Sequence, residues 1–172
     1  MKKEMDLRKA NIQLIVFDFD GVMTDNRVIV SETGQESVVV NRADGLGVKI
    51  LREQGFSMLI LSTEMNGVVA ARGRKLQIPV LQNVSDKAKA LVEYCSERNI
   101  DMHGVMFVGN DINDLVAMKL VGIRVVPADA HPSVKGFAHI ILSSPGGGGV
   151  VRELADLLEN NILRNVSLLE GQ

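Results

Sequence analysis

Two aspartates, Asp18 and Asp20, end the first apolar run of the chain and are the residues best placed to do chemistry. On an extended strand they share a face, and ligands of open α/β sheets bind beyond the carboxyl ends of the strands. Neighbouring carboxylates repel each other unless a cation lies between them, and Mg²⁺ prefers such oxygen ligands. Gly21 permits a sharp turn, and Thr24 can hydrogen-bond backbone or phosphate. The spacing therefore predicts a cation-assisted phosphate site rather than two turn residues.

Polar residues also follow two later apolar runs. Ser62 directly follows the run S-M-L-I-L, and Asn110, Asp111 and Asp114 follow V-M-F-V. Lys87 lies between these two groups, at the start of a predicted helix. Taken one at a time, they are a strand-end hydroxyl, a helix start whose acidic residues satisfy backbone amides, and a surface lysine. Residue type and position alone do not choose between these interpretations and a functional one.

The scaffold that must position these residues is indicated by short apolar runs that alternate with segments of helical periodicity. Continuous apolar runs are typical of parallel strands that are covered on both faces. Their alternation with helices predicts an α/β fold with a doubly wound parallel sheet, in one domain of residues 1–172. Predicted strands cover residues 12–19, 57–61, 78–81, 105–108, 123–126 and 139–142. Predicted helices cover residues 45–53, 67–76, 86–98, 113–120 and 149–158.

One segment departs from this alternation directly after the first strand. Residues 27–31 and 36–41 are rich in β-branched side chains and flank Thr33 and Gly34. The pattern predicts an antiparallel β-hairpin, which is too short to be a domain of its own.

The composition excludes several classes of function. With 19 basic and 21 acidic side chains, the net charge of −2 favours neither nucleic acid nor an anionic membrane surface as a partner. The chain has no Trp and one Tyr, which leaves no aromatic platform for bases. The first residues carry no signal-peptide pattern, and no apolar stretch has the length of a membrane span, which favours a cytoplasmic location. Cys95 is the one cysteine, so no internal disulfide forms.

The segment D-F-D-G-V, which begins at Asp18, resembles the D-x-D-x-[TV] signature of the haloacid dehalogenase superfamily. The resemblance implies that Asp18 attacks phosphorus and that Asp20 is the general acid and base, with an aspartyl-phosphate between the two steps. It also implies that Mg²⁺ is bound by the side chain of Asp18 and the backbone carbonyl of Asp20. The expected fold is the Rossmann-like core of that superfamily.

The later motifs of the superfamily imply roles for the other polar residues. Ser62 matches the residue that hydrogen-bonds the transferring phosphoryl group, and Lys87 matches the lysine that offsets charge on the phosphate and the nucleophile. The segment V-G-N-D-I-N-D resembles the last motif, G-D-D-x-x-D, which completes the metal site. It departs from that motif because Asn110 replaces the ligating aspartate. We therefore expect either the neutral amide oxygen of Asn110 to coordinate Mg²⁺ or Asp111 to do so through a water molecule.

The chain has no room for the cap domain that covers the active site in most members of the superfamily. From Asp18 onwards it resembles the capless tetrameric phosphatases of 2-keto-3-deoxy sugar acids. These include 3-deoxy-D-manno-octulosonate 8-phosphate phosphatases, nonulosonate 9-phosphate phosphatases and the domain found after acylneuraminate cytidylyltransferases. The resemblance implies a homotetramer in which the hairpin packs on a neighbouring subunit and helps to enclose its active site.

Several residues match positions around the substrate in those phosphatases. The loop N-R-A-D-G-L-G-V resembles their N-x-x-D-G-x-G-I segment, which implies that Asn41, Asp44 and Gly45 lie near the mouth of the site. Arg72 matches an arginine that binds the substrate carboxylate, although alone it would be interpreted as a solvent-exposed residue of a basic helix. Glycines 146–149 resemble a further motif and are expected to form a tight turn into the last helix and a subunit contact, with phosphate binding as the alternative.

Glu64 bears on the length of the substrate. Octulosonate phosphatases carry arginine at the matching position, whereas relatives that act on nine-carbon sugar acids carry glutamate there and resemble this chain at Arg72 and Lys75. We therefore expect a sugar-acid phosphate substrate, with nonulosonate 9-phosphate preferred and 3-deoxy-D-manno-octulosonate 8-phosphate as the alternative. Because Asn110 departs from the metal motif, the alternative of another class is a non-catalytic assembly partner of an acylneuraminate cytidylyltransferase.

Overall fold

The computed structural model of the protein describes residues 11–160, which form eight strands and six α-helices. The strands are β1 (Leu14–Phe17), β2 (Ile29–Val30), β3 (Glu36–Ser37), β4 (Ser57–Leu61), β5 (Val80–Leu81), β6 (Val105–Val108), β7 (Ile123–Val126) and β8 (Ile140–Ile141). The helices are α1 (Ala43–Glu53), α2 (Gly67–Leu76), α3 (Lys87–Glu97), α4 (Leu115–Met118), α5 (Pro132–Lys135) and α6 (Val150–Asn160). Within the same residues, no helix is both long and apolar enough to cross a membrane.

Six of the strands form one parallel sheet in the order β5-β4-β1-β6-β7-β8. In β1, Ile15 and Phe17 belong to a core that includes α1, α2 and α6, whereas Leu14 and Val16 belong to a core that includes α3, α4 and α5. All four side chains are buried. Because helices cover both faces, the strand is a continuous apolar run rather than an alternating one. The predicted doubly wound α/β fold is confirmed.

The order of the strands brings the polar residues together. β1 lies between β4 and β6, and Phe17 is level with Ile60 on one side and Val108 on the other. The carboxyl ends of these three parallel strands therefore meet at one edge, where Asp18 and Ser62 follow the first two strands and Asn110 follows the third.

The hairpin after β1 is present as predicted, with shorter strands. β2 and β3 are antiparallel, and Gly34 adopts a left-handed conformation with φ +80° in the turn between them. The backbones of Thr24 and Val40 pair at the base of the hairpin. Its apolar side chains Ile29 and Val30 are 66% and 59% exposed, whereas Val38 and Val40, after β3, pack against the core that includes α1, α2 and α6.

Four predicted elements have the observed bounds, namely β4, β6, β7 and α2. The predicted helix over residues 113–120 is wrong in its first turn, because residues 112–114 form a 3-10 turn and α4 covers four residues. The sequence does not predict α5, because a four-residue helix is too short to show helical periodicity.

Candidate active site

Asp18 lies directly after β1 with its carboxylate buried. Its Oδ1 accepts hydrogen bonds from the backbone N–H of Phe19 and from the ammonium group of Lys87, both at 2.7 Å. Burial raises the pKa of Asp18 to about 7, with a further contribution from Asp114 and an opposing one from Lys87. Two donors on one oxygen fix the orientation of the carboxylate, as a nucleophile requires.

Lys87, the first residue of α3, is buried between two carboxylates. Its Nζ lies 2.7 Å from Asp18 Oδ1 and 2.7 Å from Asp114 Oδ1. Burial by itself would lower the pKa of Lys87, but these two carboxylates raise it, so the ammonium group stays charged. Asp114 Oδ2 accepts the backbone N–H groups of Asn110 at 2.9 Å and Asp111 at 3.3 Å. Asp114 therefore joins the lysine to the loop after β6, in addition to satisfying amides at a helix start.

Asn110 provides the test of whether this site fits a magnesium ion. The end of its side-chain amide lies 3.1 Å from Asp18 Oδ2 and 2.9 Å from the backbone carbonyl oxygen of Asp20. With its nitrogen turned towards them, the amide donates hydrogen bonds to both oxygens. With its oxygen turned towards them, the amide oxygen lies about 3 Å from each of these two oxygens, the separation that adjacent ligands have around Mg²⁺ with bonds of about 2.1 Å. The three groups therefore fit Mg²⁺.

Asp111, the other residue expected near the metal, uses one oxygen elsewhere. Its Oδ1 accepts the backbone N–H of Ile112 at 2.7 Å and caps the 3-10 turn. Among residues 11–160, no three His, Cys, Asp or Glu side chains are gathered around one point, so a metal site here depends on the amide of Asn110 and the carbonyl of Asp20. A water-mediated role for Asp111 stays a prediction.

Asp20 and Ser62 face the same cavity, which has a volume of about 330 Å³. Asp20 Oδ1 accepts the hydroxyl of Thr24 at 3.1 Å. Burial raises the pKa of Asp20, the Thr24 hydrogen bond opposes this, and the nearby Glu36 carboxylate adds to the increase. Ser62 is buried, and its Oγ accepts the N–H of Glu64 at 3.1 Å, which leaves its proton free to donate to a ligand. The cavity is lined by Asp18, Asp20, Asn26, Ser62, Thr63, Glu64, Asn110, Asp111, Ile112 and Asn113.

A second cavity of about 180 Å³ adjoins the first and shares Asp20, Asn26 and Glu64 with it. The hairpin and the segment before it supply much of its wall. We call the two the catalytic cavity and the inner cavity. The inner cavity is lined by Asp20, Asn26, Arg27, Val28, Glu36, Val38, Glu64 and Asn66.

Five residues expected around the substrate lie outside the linings of both cavities. Arg72 Nη2 donates to the backbone carbonyl of Asn41 at 2.8 Å, and Lys75 lies exposed one turn further along α2. Gly45 lies within α1. Asp44 is buried, and its Oδ1 accepts N–H groups at the start of α6. Within one chain, the structure therefore brings Glu64 to the catalytic residues but not the other five, whose contact with a substrate stays a prediction.

We expect Asp44 to make stability depend on pH. Its Oδ2 is buried with no hydrogen-bond partner among residues 11–160, and burial raises its pKa from an ordinary 3.8 to about 6. The folded protein thus binds this proton more tightly than the unfolded chain does. The contribution of Asp44 to stability is therefore greatest below pH 3.8 and is lost as the pH rises through about 6. Two pKa units correspond to at most about 3 kcal/mol.

Urea unfolding between pH 4 and pH 7 measures this effect. Asp44→Asn, whose amide stays neutral, should flatten the decline in the free energy of unfolding, whereas Asp86→Asn, at an exposed helix cap, should not. Equal slopes for the wild type and Asp44→Asn would contradict the assignment.

The glycine-rich segment 146–149 packs against the loop that follows Asp18. The N–H of Gly147 donates to the carbonyl of Val22 at 3.1 Å. A Cβ on Gly146 would lie 2.3 Å from the carbonyl oxygen of Gly21, so this position requires glycine. The segment makes the expected tight turn into α6 and supports the catalytic loop from behind, and none of its residues lines the catalytic cavity.

Comparison with known proteins gives the class of the molecule. The family of haloacid dehalogenase-like hydrolases matches residues 60–154, more than half of the chain, and the chain belongs to this family. The 3-deoxy-D-manno-octulosonate 8-phosphate phosphatase of Yersinia pestis is 34% identical over 152 residues, which cover 88% of this chain and 81% of that protein. The family and this relative identify the chain as a phosphatase.

Solved structures agree with this assignment. A haloacid dehalogenase family hydrolase from Streptomyces avermitilis superposes with a TM-score of 0.84 at 48% identity, covering 88% of each chain. The 3-deoxy-D-manno-octulosonate 8-phosphate phosphatase of Moraxella catarrhalis, solved with a magnesium ion, a phosphate ion and KDO, superposes with a TM-score of 0.84 at 27% identity, again covering 88% of each chain. Magnesium is thus the cofactor of this class of phosphatase.

Proposed function

We propose that the protein hydrolyses phosphomonoesters of 2-keto-3-deoxy sugar acids through an aspartyl-phosphate on Asp18. The observation that carries the proposal is the convergence of Asp18, Asp20, Ser62, Lys87 and Asn110 at one edge of the sheet, four of them lining one cavity and Lys87 behind Asp18. The related phosphatases that act on 3-deoxy-D-manno-octulosonate 8-phosphate support the substrate class.

The first chemical step depends on Asp18 and its contacts. Lys87 and the N–H of Phe19 hold one carboxylate oxygen, so the side chain attacks phosphorus from a fixed position. The ammonium group of Lys87 offsets charge that the incoming phosphate brings to the buried carboxylates. The Ser62 hydroxyl donates to a phosphoryl oxygen. Bound Mg²⁺, held by Asp18, the Asp20 carbonyl and Asn110, would neutralise charge on the phosphoryl oxygens.

Asp20 moves the protons in both steps. Its raised pKa favours the protonated form that can give a proton to the departing sugar hydroxyl. The resulting carboxylate then takes a proton from the water that attacks the aspartyl-phosphate on Asp18. The hydroxyl of Thr24 holds Asp20 Oδ1 at 3.1 Å and so keeps the carboxyl group directed at the cavity.

Glu64 supports nonulosonate 9-phosphate as the preferred substrate. It stands where the octulosonate phosphatases carry arginine, and it lines both the catalytic and the inner cavity. A carboxylate there can accept hydrogen bonds from sugar hydroxyls but repels a substrate carboxylate. 3-Deoxy-D-manno-octulosonate 8-phosphate is the second candidate, because the relatives that share about a third of the sequence act on it.

Phosphate release from the two sugar-acid phosphates, measured with Mg²⁺, tests this proposal. We expect a higher kcat/KM for the nine-carbon substrate than for the eight-carbon substrate. Glu64→Arg should lower the ratio of these two kcat/KM values by about tenfold, and so narrow or reverse the preference, because it replaces a hydrogen-bond acceptor by a cation. Glu64→Gln, which keeps an acceptor without the charge, is the matched control. A wild-type enzyme that prefers the eight-carbon substrate tenfold would contradict the proposal that Glu64 favours the nine-carbon substrate.

We also propose that the protein assembles as a homotetramer with the hairpin at an interface. Val28, Ile29, Val30 and Val39 leave about half or more of their surface exposed in the single chain, an apolar area that a neighbouring subunit would cover. Light scattering at micromolar concentration should give four subunits, and Ile29→Thr should weaken the assembly. A fully active monomer would refute this.

The cytidylyltransferase partner and the cytoplasmic location stay predictions.

A further inference from the structure

One side chain, Asn66, both caps a helix and holds the hairpin. Its Oδ1 accepts the N–H of Val68 and so caps the start of α2 at 3.2 Å. Its Nδ2 donates to Glu36 Oε2, on β3, at 2.8 Å. Two segments thirty positions apart in sequence are thus joined by a single hydrogen bond next to the catalytic cavity.

The Glu36–Asn66 pair stands between two spaces. Both residues line the inner cavity of about 180 Å³. Both also line an open cleft of about 910 Å³ between the tip of the hairpin and the start of α2. The hydrogen bond between them is therefore part of the wall that separates the inner cavity from the outer cleft. If it were broken, the inner cavity would be free to open into the cleft.

Little else in the described chain fixes the tip of the hairpin. The polar contacts of Ser31 are made within the hairpin, to Thr33 at 2.9 Å and to the backbone of Gln35 at 3.0 Å. Ile29 and Val30 are exposed rather than packed against α2. Val38 and Val40 pack against the core and hold the base of the hairpin. The Glu36–Asn66 contact is thus in a position to decide how closely the tip of the hairpin lies against the start of α2.

We propose that Glu36 and Asn66 form a latch that sets the size of the inner cavity and, through it, the choice of substrate. Both act as positioning residues: they hold β3 against the start of α2 and so keep Glu64, two residues before Asn66, opposite the hairpin. The latch rests on the proposed function for the substrate class, because we expect the polyhydroxylated part of a sugar-acid phosphate, but not a small phosphomonoester, to extend from the catalytic cavity into the inner cavity.

The donor and the acceptor of the Glu36–Asn66 hydrogen bond can be exchanged without removing the helix cap. Asn66→Asp keeps an N-cap residue of equal quality but sets two carboxylates against each other, which breaks the latch. Glu36→Gln retains an acceptor for Asn66 and controls for the lost charge. Combining Glu36→Gln with Asn66→Asp restores a hydrogen bond, now donated by the glutamine, at the net charge of the wild type.

Two readouts follow these variants: the kinetics of a sugar-acid phosphate against p-nitrophenyl phosphate, and hydrogen exchange of peptides over residues 29–37. Asn66→Asp should raise KM for the sugar-acid phosphate at least about tenfold and speed exchange in the hairpin, with less than about a twofold change on p-nitrophenyl phosphate. The double variant should recover to within about threefold of the wild type on both substrates, and Glu36→Gln, which keeps the hydrogen bond, should leave exchange in the hairpin unchanged.

Failure of the latch and failure of the proposed function give different results. Unchanged exchange and KM in Asn66→Asp, or no recovery in the double variant, would overturn the latch. Faster exchange without a change in KM would overturn its role in substrate choice. If the wild type hydrolyses p-nitrophenyl phosphate but no sugar-acid phosphate, the proposed substrate class fails, and the exchange data still decide whether the latch exists.

Discussion

Replacing Asp18 by asparagine is expected to lower the rate of phosphate release by at least about a thousandfold, because a neutral amide cannot attack phosphorus. The protein should remain folded, since asparagine has nearly the same shape and its amide oxygen can still accept from Phe19 and Lys87. Phosphate release with Mg²⁺ measures the first effect, and thermal unfolding measures the second. A folded Asp18→Asn variant that retains a tenth of the wild-type rate would exclude Asp18 as the nucleophile.

Asp20→Asn provides the matched comparison, because it removes the proton donor and leaves the nucleophile in place. Turnover should also fall steeply, but rapid-quench labelling should detect a slowly formed phosphoenzyme in Asp20→Asn and none in Asp18→Asn. The same labelling pattern in both variants would contradict the separate roles assigned to the two aspartates.

Asp114→Asn is expected to reduce both stability and activity. Asp114 is fully buried, and its two oxygens accept from Lys87 on one side and from the N–H groups of Asn110 and Asp111 on the other. An asparagine sets an NH₂ group against one of these sets of donors. We expect a loss of about 3 to 5 kcal/mol in the free energy of unfolding, the usual cost of breaking a buried ion pair. kcat should fall about a hundredfold, because Lys87 and the loop after β6 lose their common support.

Asp86→Asn is the control for that substitution, since it makes the same chemical change one residue before Lys87. Asp86 caps α3 by accepting the N–H of Lys89 at 3.0 Å, and asparagine caps a helix equally well. Its stability and kcat should therefore match those of the wild type. Urea unfolding measures the free energy of unfolding of both variants, and phosphate release measures their kcat. Equal values for Asp114→Asn and Asp86→Asn would show that Asp114 is an ordinary helix-start residue.

The centre of the sheet could be predicted from sequence because its strands are buried on both faces. β6 is a continuous apolar run, β4 is apolar after Ser57, and β7 is apolar except for Arg124; the predicted bounds of all three are the observed ones. Parallel strands end at a common edge, so Asp18, Ser62 and Asn110 could be placed at that edge from the sequence. Their grouping at one site was implied by the resemblance to the superfamily motifs, because the sequence pattern does not give the order of the strands. The fold class therefore follows from local pattern, whereas the composition of the site needed the resemblance as well.

Contacts between distant segments could not be predicted in the same way. An acidic residue in the first turn indicates the start of a helix. Nothing in that pattern shows that Asp114 also forms an ion pair with Lys87, which lies on another helix. Likewise, the spacing of Arg72 and Lys75 places them near each other on a helix but does not reveal that the carbonyl of Asn41 accepts from Arg72. Such pairings depend on how helices pack, which residue type and periodicity leave open.

The support that Gly146 and Gly147 give to the loop after Asp18 has a consequence for the order of synthesis. The loop leaves the ribosome more than 120 residues before the two glycines that pack behind it. Its backbone lies within 3 Å of the positions that Cβ atoms on these glycines would take. β6, which flanks β1 on one side, also emerges late. A nascent chain in which Asp18 has already emerged from the ribosome therefore still lacks the backbone segment that supports the loop after Asp18. Phosphatase activity should accordingly be absent from ribosome-bound chains until nearly all of the described sequence has been translated.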